Sequence, residues 1–289
     1  MNVSIVVVTH NRVHLLQQCV ENVLATTSDA TQQIIIWDNA SSDGTAEYLA
    51  RLDDQRLEIV RHPENIAMNA RRRAFERATG DYLIEMDDDV VEAPSEWDHT
   101  LLEGYVHLQD YGRLGAFLQY DPKDAASRYL RYMREERGAY PLRVVNGIRV
   151  LEGTPGGACT MISRELYDRV GGYSEHNRYP YWRPEIAFER KMRKLGFRSG
   201  YLADLQVRHA GGPNYSETPQ LKLHYWRHED KLRRRKDRVK RVLLALPFVA
   251  ELNRRFDWFD PPEPRYDPAA YDPDVRADAT GDATPTSTG

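Results

Sequence analysis

An open, mostly parallel α/β sheet with helices on both faces is the fold this sequence predicts, and two patterns carry it. The first is a set of short, apolar, β-branched runs, as expected of strands buried on both faces: SIVVV at residues 4–8, QIIIW at 33–37 and YLIEM at 82–86. The second is what separates them. Residues 12–24 place Leu15, Leu16, Cys19, Val20, Val23 and Leu24 at helical spacing.

The remaining elements follow in order. Residues 41–52 read as a short helix opened by Ser42 or Asp43 as its cap. Residues 57–61 form a weaker third strand. Asn65 caps a helix that runs to Ala78, with Gly80 where a helix ends. Beyond the fourth strand at 82–86, residues 114–119 read as a strand and 125–136 as a charged helix. Residues 150–163 hold Gly153, Pro155, Gly156 and Gly157 before the apolar run 158–162, and Gly171-Gly172 marks a turn. A helix over 185–195 ends at Gly196, and a last strand covers 201–207. The globular domain is expected over 1–220, split near residue 120, followed by a basic helical extension at 221–259.

The 289-residue chain is 41% hydrophobic, enough to bury a sizeable core, and its net charge of -4 gives no global attraction to nucleic acid. Two cysteines, Cys19 and Cys159, exclude a cysteine metal cluster and suit a reduced packing role. The first residues lack the pattern of a signal peptide, and no run reaches the roughly 18 apolar residues that span a bilayer. A soluble, cytoplasmic protein is the expectation. Residues 222–241 carry ten Lys/Arg against three acids and lead into VLLALPFV at 242–249. That combination suits either an anionic membrane surface or a solvated helix packing its few apolar residues. Residues 260–289, rich in Pro, Asp, Ala and Thr, are expected to be a disordered acidic tail.

The chemistry converges where the strands end, which is where open α/β sheets bind ligands. The first strand delivers Thr9, His10, Asn11 and Arg12, the second Asp38 and Asn39, the fourth Asp87, Asp88 and Asp89. Three adjacent carboxylates repel, and a divalent cation would supply the missing counter-charge. Oxygen ligands suit Mg²⁺ or Mn²⁺ held together with substrate phosphates. The bland alternative is a solvated acidic turn.

These segments resemble, in order over about residues 3–209, the family 2 glycosyltransferases of the GT-A fold. SIVVVTHNR resembles the opening strand and donor turn, and WDNASSDGT the base-reading second strand. ENIAMNARRRAFERATGDYLIEMDDDV resembles the segment ending in the DxD metal motif. GGACTMISRELYDRVGGYSE resembles the acceptor-side segment, and PEIAFERKMRKLGFRSGYLADLQVRH the catalytic helix with the closing strand. The resemblance implies a donor half at 1–120, an acceptor half at 121–220 and inverting transfer from a nucleotide-diphosphate sugar, a UDP-sugar favoured. The acceptor implied is a glycan or lipid-linked hydroxyl, as in polysaccharide biosynthesis. It implies Mn²⁺ or Mg²⁺ on Asp87, Asp89 and His209, and a donor site of Thr9, His10, Arg12, Asp38, Asp43, Arg71, Asp87 and Asp88. Gly156, Gly157 and Trp182 fall on the acceptor side, and Glu185 at the catalytic base. Glu189, one turn later, shares a face with Glu185.

The sequence also departs from the family pattern. Ala67 and Ala74 stand where glycines are usual, Arg72 where asparagine is common, and Pro184 and Ala187 where the family has acids. The last two keep a catalytically silent, nucleotide-sugar-binding relative open as a rival. A sugar-phosphate nucleotidyltransferase is a second rival, but THNRVHLL lacks the glycine-rich loop it would need after strand one.

Overall fold

The computed structural model describes residues 1–175, 184–211, 235 and 238–256. Two compact units divide the chain, Met1–Glu217 and Thr218–Gly289. The site lies in the first.

The opening half alternates as its apolar periodicity predicts. β1 (Val3–Thr9) leads to α1 (Val13–Thr26), β2 (Thr31–Asn39) to α2 (Thr45–Leu49), and β3 (Leu57–His62) to α3 (Asn69–Arg77). Then come β4 (Tyr82–Asp87), the short β5 (Val90–Glu92), α4 (Trp97–His107) and β6 (Tyr111–Leu118). The second half runs α5 (Ala125–Glu135), β7 (Leu142–Val145), β8 (Ile148–Glu152), β9 (Cys159–Ser163), α6 (Arg164–Val170), α7 (Pro184–Lys194) and β10 (Arg198–His209). In the second unit, residues 238–244 and Pro247–Phe256 are helical.

The strands form one sheet in the order β3-β2-β1-β4-β9-β6-β10-β8-β7, with β5 attached to β10. β3, β2, β1 and β4 pair parallel throughout. β9 then runs antiparallel between β4 and β6, and β10 pairs parallel with β6. The second half is therefore more mixed than a βα alternation suggests, because β7–β8 is a hairpin and β9 enters against its neighbours. Both faces are covered. Val3, Ile5 and Val7 pack with α1 and α4 residues such as Leu16, Cys19 and Trp97, while Val6 and Ile35 pack with Ala70, Ala74, Phe75 and Phe188 of α3 and α7. Cys19 and Cys159 are free and buried, in the packing role expected of them.

Several boundaries move, each for a local reason. α2 starts at Thr45, because the Asp43 side chain is drawn to the Thr45 amide and hydroxyl and Gly44 takes the left-handed turn before it. α3 starts at Asn69 rather than after Asn65, whose side-chain Oδ1 accepts from the Ala67 amide and from Asn39 Nδ2. Ala67 itself lies at φ +50°, so this turn holds an alanine in the backbone region that favours the family's glycine. The β7–β8 hairpin was not expected, although its Asn146-Gly147 turn, with φ of +52° and +80°, is a strong two-residue hairpin signal. α7 runs to Lys194, and Gly196, the residue predicted to end it, follows in the left-handed turn with φ +89°.

Candidate active site

The parallel register brings the residues expected at the donor site to one level. Thr9 lies beside Asp38, and Val8 beside Asp87, at the carboxyl ends of β1, β2 and β4. The turns after β1 and β2 are tied together: the Asn11 amide donates to Ser41 Oγ at 2.9 Å, and the Ser42 amide to Asn11 Oδ1 at 2.6 Å. Asp43 accepts from the Val13 amide at 2.8 Å as well as from Thr45, so both its oxygens serve the chain itself. Burial opposes its charge, but those hydrogen bonds win and hold its carboxyl below the ordinary value. Asp38 is buried, with Oδ1 accepting from the Ser41 amide at 2.9 Å and Oδ2 3.7 Å from Arg61 Nε. The His10 Nδ1 is buried without a hydrogen-bond partner.

The three aspartates already have counter-charges, which corrects the argument that they require a cation for balance. Asp87 Oδ1 accepts from Arg71 Nη2 at 2.6 Å. Asp88 meets Arg12 Nη1 at 2.8 Å and the Thr9 hydroxyl at 2.7 Å. Asp89 meets Arg12 Nη2 at 2.5 Å and lies 3.0 Å from His209 Nε2. These pairings separate the acidities. Burial pushes Asp88 up to about 7 against the pull of Arg12. Asp89 is also buried, yet His209 and Arg12 hold it down to about 2. Burial alone would lower His209, but Asp124 and Asp89 push it up to about 10.

The residues fit a divalent cation on one further observation. Ligand atoms of Asp87, Asp89 and His209 lie within 4.8 Å of one another. Asp89 Oδ1 is buried 3.0 Å from His209 Nε2, so the two present ligand atoms side by side, with an Asp87 oxygen within reach of both. Asp124, absent from the sequence reading, approaches His209 Nδ1 at 3.2 Å and can orient the ring as an outer carboxylate does for a metal-bound histidine. It also caps α5 through the Ala126 and Ser127 amides, and only that capping role is visible in sequence. β5 secures the pair: His209 stands opposite Val90, and the Ala210 amide donates to the Asp89 carbonyl at 2.8 Å.

The residues expected on the acceptor side are arranged differently. Pro184, one of the departures from the family, opens α7, a position where proline's missing amide costs nothing. Glu185 follows, half-buried in the first turn. Glu189 does not share its exposure, contrary to the expectation that both line one pocket. It is buried, accepts from Ser199 Oγ at 2.8 Å and pairs with Arg113 at 3.4 Å. Burial pushes its carboxyl up, against Arg113 and Ser199. The Gly156 amide donates to the Tyr201 hydroxyl at 2.7 Å, and Gly157 lies against the Arg71–Glu85 ion pair. Arg72, where asparagine is usual, donates to the Tyr173 carbonyl at 2.9 Å. Trp182 lies outside the described residues. Arg113 and Glu85 were not singled out from sequence, although a charge inside the apolar strands YGRLGAFL and YLIEM is itself a signal.

Residues 4–171 match the family model described as Glycosyl transferase family 2. The chain belongs to this family. Its fold is also that of solved GT-A glycosyltransferases. The mannosyltransferase PcManGT from Pyrobaculum calidifontis, in complex with GDP-Man and Mn²⁺, superposes with a TM-score of 0.55 at 20% identity over 74% of this chain and 58% of that one. GalNAc-T7 with UDP, GalNAc and Mn²⁺ superposes with a TM-score of 0.54 at 17% identity, over 72% of this chain and 44% of its own. Uncharacterized protein y4gI of Sinorhizobium fredii is 24% identical over 252 residues, 81% of this chain and 27% of that protein. The chain thus spans about a quarter of that relative and roughly half of the two structures. Among its described residues the chain has no helix long and apolar enough to cross a membrane.

Proposed function

We propose that the protein transfers a sugar from a nucleoside-diphosphate donor to an acceptor hydroxyl, with inversion, using a cation held by Asp87, Asp89 and His209. The observation that carries this reading is the convergence of those three ligands at the ends of β4 and β10. An imidazole beside two carboxylates suits Mn²⁺ better than Mg²⁺, which prefers all-oxygen octahedra. When bound, the cation supplies a Lewis acid for the departing diphosphate.

The chain's own groups carry the rest. Asp38 accepts a hydrogen bond from the base, which suits an N–H edge; UDP-sugars are the favoured donors, with GDP-sugars the second class. Thr9, His10 and Asp88 shape the turn beneath the donor, with Asp43 holding the first two loops together. Arg12 and Arg71 exchange an aspartate for phosphate oxygens, a pairing their guanidinium forks favour. Glu185 takes the proton of the acceptor hydroxyl. As it does so, the hydroxyl oxygen bonds the anomeric carbon from the face opposite the diphosphate, whose bond breaks. Gly156, Gly157 and Trp182 belong to the acceptor side of residues 121–220, opposite the donor half 1–120.

A thermal-shift screen of UDP- and GDP-sugars tests the reading, because a ligand that binds the folded state raises stability by mass action. A shift that needs Mn²⁺ and disappears in Asp89→Asn is expected. Full transfer activity in EDTA would remove the metal assignment.

The acceptor reading extends to a glycan or lipid-linked hydroxyl at an anionic membrane surface. Val242 and Phe248 are 65% and 74% exposed on helical residues at the end of the basic run and beyond it, and Leu246, in the bend between the helical stretches, is 53% exposed. Apolar side chains beside cations suit an anionic bilayer interface. Vesicles with anionic lipid should bind the protein at low salt and release it at high salt; equal binding to neutral vesicles, or none, ends this extension.

A further inference from the structure

Arg113 rises from the middle of β6 and is 1% exposed, yet its guanidinium serves five acceptors. Nη1 donates to the Pro155 carbonyl at 3.1 Å and to Glu189 Oε1 at 3.4 Å. Nη2 donates to Thr160 Oγ1 at 3.2 Å, and to Glu85 Oε2 and the Gly156 carbonyl, both at 3.5 Å. Glu85 pairs in turn with Arg71, and Arg71 with Asp87. Side chains of alternating sign therefore run unbroken from α7 to the metal-site aspartate: Glu189, Arg113, Glu85, Arg71, Asp87. Gly157 seals the middle of this chain, since a Cβ there would stand 2.5 Å from Glu85 Oε1 and 2.7 Å from Arg71 Nη1.

Stability alone is a poor reason for such an arrangement. Buried ion pairs carry a large desolvation cost, and apolar residues of similar volume often hold a fold as well or better. The chain also connects three parts of one reaction: the donor arginine, the acceptor loop at residues 155–157, and the helix that carries Glu185. We infer that it couples them, with Arg113 as a positioning residue for Glu185. The inference rests on the donor site and base proposed above.

The distances show how coupling would work. Arg71 is shared between Glu85 and Asp87. Once Asp87 holds a cation, or a diphosphate draws Arg71 away, the charge around Glu85 changes. Arg113 sits at nearly equal distances from Glu85 and Glu189, 3.5 and 3.4 Å, so that change shifts its balance between them. Its hold on Glu189 and on the Pro155 and Gly156 carbonyls moves together, and Glu185 is one turn from Glu189 on the same helix.

Amide hydrogen exchange across residues 155–157 and 184–195 tests this, with and without Mn²⁺ plus UDP, and with Mn²⁺ plus GDP as a parallel arm. In the wild type a bound nucleotide should change exchange in α7 by about fivefold or more, the lower end of ordinary coupling between sites. Arg113→Lys keeps the charge but loses the fork that spans both carboxylates. It should bind the same nucleotide with unchanged affinity and lose the exchange response, which a purely structural role would not predict. A variant that binds and still responds, or a wild type that binds without responding, overturns the inference alone. A wild type that binds neither nucleotide overturns the donor site and the inference with it. If Arg113→Lys does not fold, Glu189→Gln gives the same readout, because it removes the charge through which Arg113 holds α7 while leaving the Arg71 pairs in place.

Discussion

The proposed donor edge and the helix proposed to carry the base are both rich in carboxylates, but they manage charge in opposite ways. At the donor edge Asp87, Asp88 and Asp89 end a strand, and their partners Arg12 and Arg71 each keep 16% of their side-chain surface open. Such pairs can be exchanged: a cation can replace an arginine on an aspartate, and a phosphate an aspartate on an arginine. Around α7, Glu189 and Arg113 are 0% and 1% exposed and no ligand can reach between them. The first arrangement is suited to binding and the second to holding geometry. Identical residue types one helical turn apart, Glu185 and Glu189, fall on different sides of that division.

The sharpest way to break the comparison is to remove one charge from each. A positioned carboxylate contributes about 10² to 10⁴-fold to a proton transfer in the transition state, so Glu185→Gln should lower kcat by that order while donor and Mn²⁺ affinity persist. Glu189→Gln should act chiefly on stability, seen as a lower Tm with a much smaller loss of transfer. If Glu185→Gln transfers sugar at the wild-type rate, the base lies elsewhere and the division between the two glutamates fails.

A gentler test uses pH at the donor edge. His209 without metal holds its proton up to about 10, and a ligating imidazole must lose it. Below that value, metal binding releases a proton, so affinity rises as pH rises. Between roughly pH 7.5 and 9, above the Asp88 titration near 7, Mn²⁺ affinity should climb by up to about tenfold per pH unit. His209→Gln should flatten that slope. A flat profile in the wild type, measured by Mn²⁺ titration calorimetry, would take His209 out of the ligand set.

Legibility in the sequence followed the same division. The strands of the parallel half announce themselves by runs such as SIVVV and QIIIW, and their polar residues sit in the turns directly after them. The apolar runs alone therefore place Asp38 and Asp87 at strand ends. The second half was harder, because its pairings are distant in sequence and β9 enters antiparallel. Glu189 shows why the site was only partly legible. Helical periodicity puts it on the face of Glu185, but whether that face is open depends on Arg113, which arrives from another strand. Asp124 shows the same limit: its capping role is local, and its approach to His209 is not. The family resemblance offered candidate positions for a DxD and a base, while the counter-charges that Arg12 and Arg71 provide needed the assembled sheet.

The buried arginine also bears on how the chain reaches its native state. The Arg113–Glu189 contact joins residues 76 apart, and Arg113–Glu85 residues 28 apart. Contacts of such separation are slow to form, because the intervening chain must be ordered before they repay its entropy. An arginine caught between apolar strands without both glutamates is a strongly unfavourable intermediate, so neither half of the sheet is comfortable closing early. The expectation for refolding is a late step in which α7 docks and these charges are desolvated together, so that Glu189→Gln changes the last refolding phase and leaves earlier ones unaltered.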